Sequence, residues 1–184
     1  MIETIEECNS IRGVLMNLEP SELADALMTL AGESRSAHML VMSLVSSTTE
    51  KIALFKENIH AITHQDRRTT LSGEYILETL TRSLEMLDPD TMDPKLGMQL
   101  MALFYETDSC ALESTTELDF EFQLIFTDDG FEKFAQFARR CLDPDFVVQV
   151  VKQLIADDGY GMRTKLFAEA STFLSEEGLK ALRT

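Results

Sequence analysis

Three times along this chain an apolar residue, an acid and a proline stand in line: Leu18-Glu19-Pro20, Met92-Asp93-Pro94 and Leu142-Asp143-Pro144. Proline presets φ for a first helical turn, where its missing N–H is not needed, and an acid there meets the positive end of the helix dipole. Each triplet therefore predicts a helix start. Aligned on proline, Leu27, Met101 and Val151 coincide downstream, as do Leu30, Phe104 and Leu154. The apolar residue ahead of the cap can staple onto the second turn, Leu18 with Leu23 and Leu142 with Val147, whereas Gly97 leaves the middle copy without a staple. The copies are unevenly spaced. That pattern reads either as helical hairpins of variable length or as ordinary helix-start chemistry used three times.

The intervening sequence keeps helical periodicity. Ile2, Ile5, Cys8 and Leu15 predict a helix over 2–17, and Leu23, Ala26, Leu27 and Leu30 one from Pro20 with Gly32 as its stop. Residues 34–46, with Met39, Leu40, Met42 and Leu44, are apolar enough to be nearly all buried. Ser47, Thr48 and Thr49 offer caps for a helix whose stripe is Ile52, Phe55, Ile59 and Ile62. Ser72 opens another through Ile76, Leu77, Leu80 and Leu84. Leu87–Met92 must turn, because Pro89 and Pro94 cannot share one regular helix. Residues 118–126 fit a strand or a helix equally by spacing, but a single strand has no partner in this chain, so a helix is expected. Asp128-Asp129-Gly130 should interrupt it before Phe131, Phe134 and Phe137 continue inward.

These patterns predict an all-α fold of about 8–9 helices, in antiparallel hairpins forming either a short α-solenoid of the HEAT or TPR style or an irregular bundle. Residues 1–184 read as one domain, with a polar hinge at 65–70 between halves 1–66 and 71–184. With 45% apolar residues the chain can build a core without metals or disulfides. Its net charge of −16 argues against direct nucleic-acid or anionic-membrane binding. Cys8, Cys110 and Cys141 show no paired spacing and are expected as free thiols. An acidic N-terminus without an apolar run predicts a cytoplasmic chain.

The stretch LDPDFVVQVVKQLIADDGYGMRTKLFAEASTFLSEEGLKALR resembles the C-terminal repeat of an uncharacterised bacterial family of all-α proteins. In that family a helix ending in Asp-(Asp/Gly)-Tyr-Gly precedes another helix and a leucine-rich cap. LEPSELADALMTLAGE is similar to its N-terminal helix. Some members of that family carry a SWIM-type zinc finger, whose CxC and CxH ligands this chain lacks. The resemblance implies a fold and no activity.

Candidate chemistry is sparse. Glu57-Asn58-Ile59-His60 matches one half of a di-iron bundle motif, but no second Glu-x-x-His exists. His60 and His64, one turn apart, can chelate a metal only with a third ligand, and they lie off the apolar stripe. Gly159-Tyr160-Gly161 looks like part of a phosphate loop but follows a helix and lacks the last glycine. It reads better as helix-end structure: Gly159 as a left-handed cap, Tyr160 packed back, Gly161 allowing close approach. Cys141 stands beside Arg139 and Arg140, which would favour its thiolate, although a structural thiol is the simpler reading. No catalytic residue and no cofactor are expected.

The acids concentrate between Lys95 and Lys133, where no base occurs: Glu106, Asp108, Glu113, Glu117, Asp119, Glu121, Asp128, Asp129 and Glu132. They read as a solubilising face or as a docking surface for a basic protein partner. The expected function is a non-enzymatic protein-interaction module, monomeric or homodimeric. An acidic nucleic-acid mimic that occupies a DNA-binding protein is the alternative, and a metal- or small-molecule-binding bundle is third.

Overall fold

The computed structural model describes residues 11–64, 71–114 and 117–184. Among them every regular element is helical, as the patterns predict. The first ten residues, Cys8 included, and the expected hinge at 65–70 lie outside the described residues. The chain divides into two compact units between Val45 and Ser46. The division thus falls one helix earlier than the expected hinge.

The N-terminal unit continues from helical residues 11–15 into α1 (Pro20–Glu33) and α2 (Arg35–Val45), which pack against each other. Pro20 opens α1, and the Glu22 carboxylate accepts the Glu19 N–H at 3.2 Å, closing the first turn. Among the residues of this unit whose side chains are described, none is buried.

The second unit begins with α3 (Thr48–Thr63). Ser47 caps it by accepting the Glu50 N–H, and Glu50 returns a carboxylate to the Ser47 N–H at 2.8 Å. α4 (Gly73–Met86), capped by Ser72, packs on α3 across 65–70. Phe55, Ile59 and Ile62 face Ile76, Leu80 and Leu84 in the core, and buried Asn58 donates to Ser83 at 3.3 Å. α3 and α4 therefore pack within one unit.

The centre of that body is α5 (Pro94–Tyr105). Asp93 caps it through the Leu96 N–H at 2.9 Å, and Gly97, Met98, Leu100, Met101, Phe104 and Tyr105 are all buried. It touches α3, α8 (Phe131–Arg140), α9 (Pro144–Ala156) and a π-helical turn at Ile125–Gly130. A helix contacting elements so distant in sequence marks an irregular bundle, not an array in which each repeat meets only its neighbours. Gly97 explains the missing staple of the middle triplet: a Cβ there would lie within the Phe137 ring, so the glycine is what lets α8 close onto α5.

Between them run α6 (Asp108–Ser114), which the periodicity does not announce, and α7 (Asp119–Leu124). The ambiguous 118–126 stretch is helical and passes into the π turn at Ile125, where the Asp-Asp-Gly interruption is expected. The Tyr105 hydroxyl donates to the Phe126 carbonyl at 3.1 Å inside this wide turn. Gly130 completes it, since an added Cβ would meet Ile125 O and Phe104 Cε1 at 3.0 Å each. Phe104, Tyr105 and Phe126 form one aromatic cluster of edge-on and tilted rings, with centroids 5.1 to 6.2 Å apart.

Asp143 caps α9 and bridges to Lys95 at 2.6 Å, so the second and third triplets are tied together. The expected Leu142–Val147 staple does not form. Leu142 is 99% exposed. The chain ends in α10 (Thr164–Ala168), a 3₁₀ turn and α11 (Glu176–Leu182), the last capped by Ser175.

Candidate functional site

The DDGYG turn leads directly into a buried ion pair. Arg163, immediately after it, is buried, and its guanidinium reaches three elements at once. Nε and Nη2 hold the Asp108 carboxylate at 2.8 and 3.0 Å, a bidentate fork. Nη2 also donates to the Tyr105 carbonyl at 2.9 Å, and Nη1 to the Leu154 carbonyl at 3.2 Å. Those carbonyls belong to the last turns of α5 and α9, where a cation meets the negative end of each helix dipole. Asp108 begins α6, where an acid is favoured for the converse reason. One buried ion pair therefore satisfies three helix termini.

The turn itself corrects the sequence expectation. Gly161, with φ of 78°, is the residue in the left-handed region, and Gly159 has open space around it and no such backbone. The α9 end is closed at Asp157, and Asp158 Oδ2 accepts the Arg163 N–H and the Thr164 hydroxyl at 3.2 Å each. Asp158 Oδ1 is the one buried side-chain atom without a hydrogen bond among the described residues. Tyr160 is half exposed rather than packed back. Its hydroxyl donates to Glu113 on α6, which holds the phenol's pKa above its usual value.

This geometry redistributes the base-free acids of 96–132. Asp108 leaves the surface altogether. Asp128 is paired with Lys165 at 2.7 Å and Glu132 with Arg139 at 3.3 Å, while Glu113 receives Tyr160. Glu117 is exposed and also engaged. Glu106, Asp119, Glu121 and Asp129 remain as exposed carboxylates without an ion pair among the described residues. A stretch without bases in sequence thus receives three: Arg139 from α8, Arg163 just after the DDGYG turn and Lys165 from α10. Nothing in one sequence announces that Asp108 and Arg163 meet across 55 residues.

His60 and His64 border an open groove of about 640 Å³ with Lys56, Ile59, Thr63, Leu103, Glu106 and Cys110. The two imidazoles stack face to face, 4.0 Å between centroids and 4° from parallel. Parallel rings aim their in-plane lone pairs alongside each other rather than at one point, and His64 Nδ1 is already 2.9 Å from the Thr63 hydroxyl. Among the described residues no group of three His, Cys, Asp or Glu is arranged to hold a metal ion. Cys110 and Cys141 are free and half-buried. Arg139 and Arg140 are engaged elsewhere, with Glu132 and with Asp90.

The other candidate surface is apolar. Among the described residues sixteen large hydrophobic side chains are exposed, and eleven of them lie in residues 11–45: Ile11, Val14, Leu15, Met16, Leu18, Met28, Leu30, Leu40, Met42, Leu44 and Val45. The body, three times as long, exposes five. No described helix is long and apolar enough to cross a membrane.

Fold and surface together define the class no more finely than an all-α helical bundle with an apolar helical pair at its N-terminus. No family model, curated protein or solved structure matches the chain.

Proposed function

We propose that the chain is a protein-interaction module in which the N-terminal helical pair makes the contact and the 46–184 body is the carrier. The observation behind this reading is the concentration of exposed leucine, methionine, valine and isoleucine in a unit with no buried described residue. Soluble monomers seldom leave large apolar patches uncovered, and such patches mark association surfaces. The body needs no such contact, since its own core is closed around α5. The remaining carboxylates, Glu106, Asp119, Glu121 and Asp129, serve solubility and long-range steering.

The nucleic-acid-mimic alternative draws less support, because part of its acidic stretch is paired internally. Capture from an extract of the source organism separates the two. The module reading expects the captured protein to be lost with Leu44→Glu and retained with Asp119→Lys/Glu121→Lys, with little response to salt. Loss through the lysine variants and steep salt dependence would establish the mimic instead.

A further inference from the structure

We infer that the N-terminal helical pair is covered by a second copy of this chain, the two pairs meeting through α2 to form an intermolecular helical bundle. The inference rests on the reading of that unit as the contact element and names its occupant. From Ser36 to Thr49 there is no acidic and no basic residue, His38 being the one ionisable group. A helix apolar on nearly every side is one that lives buried, yet Met42, Leu44 and Val45 are exposed in α2. The rest of the molecule is acidic. Two such copies repel wherever charged faces approach, and the uncharged run is where they can meet without that penalty. A basic partner would be drawn chiefly to the carboxylates elsewhere on the chain, where its charge is met. An uncharged contact on a chain of net charge −16 thus fits a partner of the same sign, and a second copy is such a partner.

The amount of surface agrees. A stable interface covers about 800 Å² on each partner, the contribution of roughly 20–30 residues. Residues 11–45 present eleven large apolar side chains on a segment of that size. Two helices alone cannot bury them: Leu23 and Leu27, on the α1 stripe, are only half-buried, and Leu30 on the same stripe is exposed. A second pair supplies the missing layer, and a two-fold axis lets each copy give the face it receives.

The test is the mass of the full-length chain in solution by sedimentation or light scattering, followed through dilution, with hydrogen exchange on the same samples. The wild type should run at twice the 20.8 kDa of one chain. Leu44→Glu and, separately, Met28→Glu should return it to one chain with the helical content and melting of the body unchanged. Asp119→Lys/Glu121→Lys should leave the dimer intact. Amides of α2 should be protected in the dimer and lose protection on dilution. Two substitutions on different helices guard against either one merely unfolding its own helix.

A wild type that is monomeric at every concentration overturns the inference, as does a dimer indifferent to both glutamates. If the monomer's α2 amides are protected regardless of concentration, the occupant is the chain's own body. If the chain is monomeric while Leu44→Glu abolishes capture of another protein, the second copy is excluded and the module reading stands. If neither mass nor capture responds to Leu44→Glu, both fail.

Discussion

The two units are built from the same helix-start chemistry and end in opposite states. Pro20, Pro94 and Pro144 each open a helix. The helices begun by Pro94 and Pro144 bury Met101, Phe104, Val151 and Leu154, whereas the equivalent positions after Pro20, Leu27 and Leu30, stay half-buried or exposed. Local sequence therefore decides that a helix forms and where it begins, but the number of neighbours decides whether its stripe is covered. α5 has four such neighbours, counting the π turn, and α1 has α2. The difference predicts that substitutions in the body act on folding and substitutions in the N-terminal unit act on association.

The largest effect should come from the Arg163 lock. Asp108→Ala leaves a buried guanidinium with no counter-charge and removes two of its hydrogen bonds. Breaking a buried pair from one side costs about 3–5 kcal/mol, and chemical denaturation should show it as a lower midpoint. If Asp108→Ala cost no more than a surface change, the body would not depend on this lock and the contrast with the N-terminal unit would weaken.

Next in size is Gly97→Ala. Its Cβ would overlap the Phe137 ring and push α8 from α5, an overpacking cost of about 1–3 kcal/mol. Thermal melting measures it, and Gly97→Ala/Phe137→Leu should recover part of the loss by making room. Absence of any rescue would mean the helices separate for another reason.

How far these features were legible in the sequence follows from their range. Helix starts rest on neighbours three or four residues apart, so Ser47 with Glu50, Asp93 with Leu96 and Asp143 with Phe146 could be read directly. The stripe of Phe55, Ile59 and Ile62 was equally plain. The Arg163–Asp108 pair and the Gly97–Phe137 contact join positions tens of residues apart, and single-sequence periodicity carries no information about such pairs. That is also why the acids of 96–132 looked like one face: Lys165 and Arg139 reach them only through the fold. The unit boundary at Val45 was hidden for a related reason. An apolar run such as 36–45 looks like core in sequence, and only the elements around it reveal that Leu40, Met42, Leu44 and Val45 are exposed.

A smaller effect separates the two glycines of the C-terminal turn. Gly161→Ala forces a side chain into the left-handed region, at about 1–2 kcal/mol. Gly159→Ala meets open space and an ordinary backbone, so its melting temperature should stay near that of the wild type. Equal losses at both positions would show that the turn is held by contacts rather than by the backbone angle of Gly161.

The smallest change has the opposite sign and falls in the other unit. Gly32 lies inside α1 with nothing near an added Cβ. Gly32→Ala therefore clashes with nothing and reduces the chain's freedom before folding, which favours the helix by about 0.5–1 kcal/mol. Because α1 is not part of the body's core, the gain should appear as firmer protection of α1 amides and a tighter dimer, with the main thermal transition unmoved. The same substitution made at Gly97 destabilises the body. If Gly32→Ala instead raised the main transition, the N-terminal pair would share the body's cooperative core, and the division at Val45 would not separate folding from association.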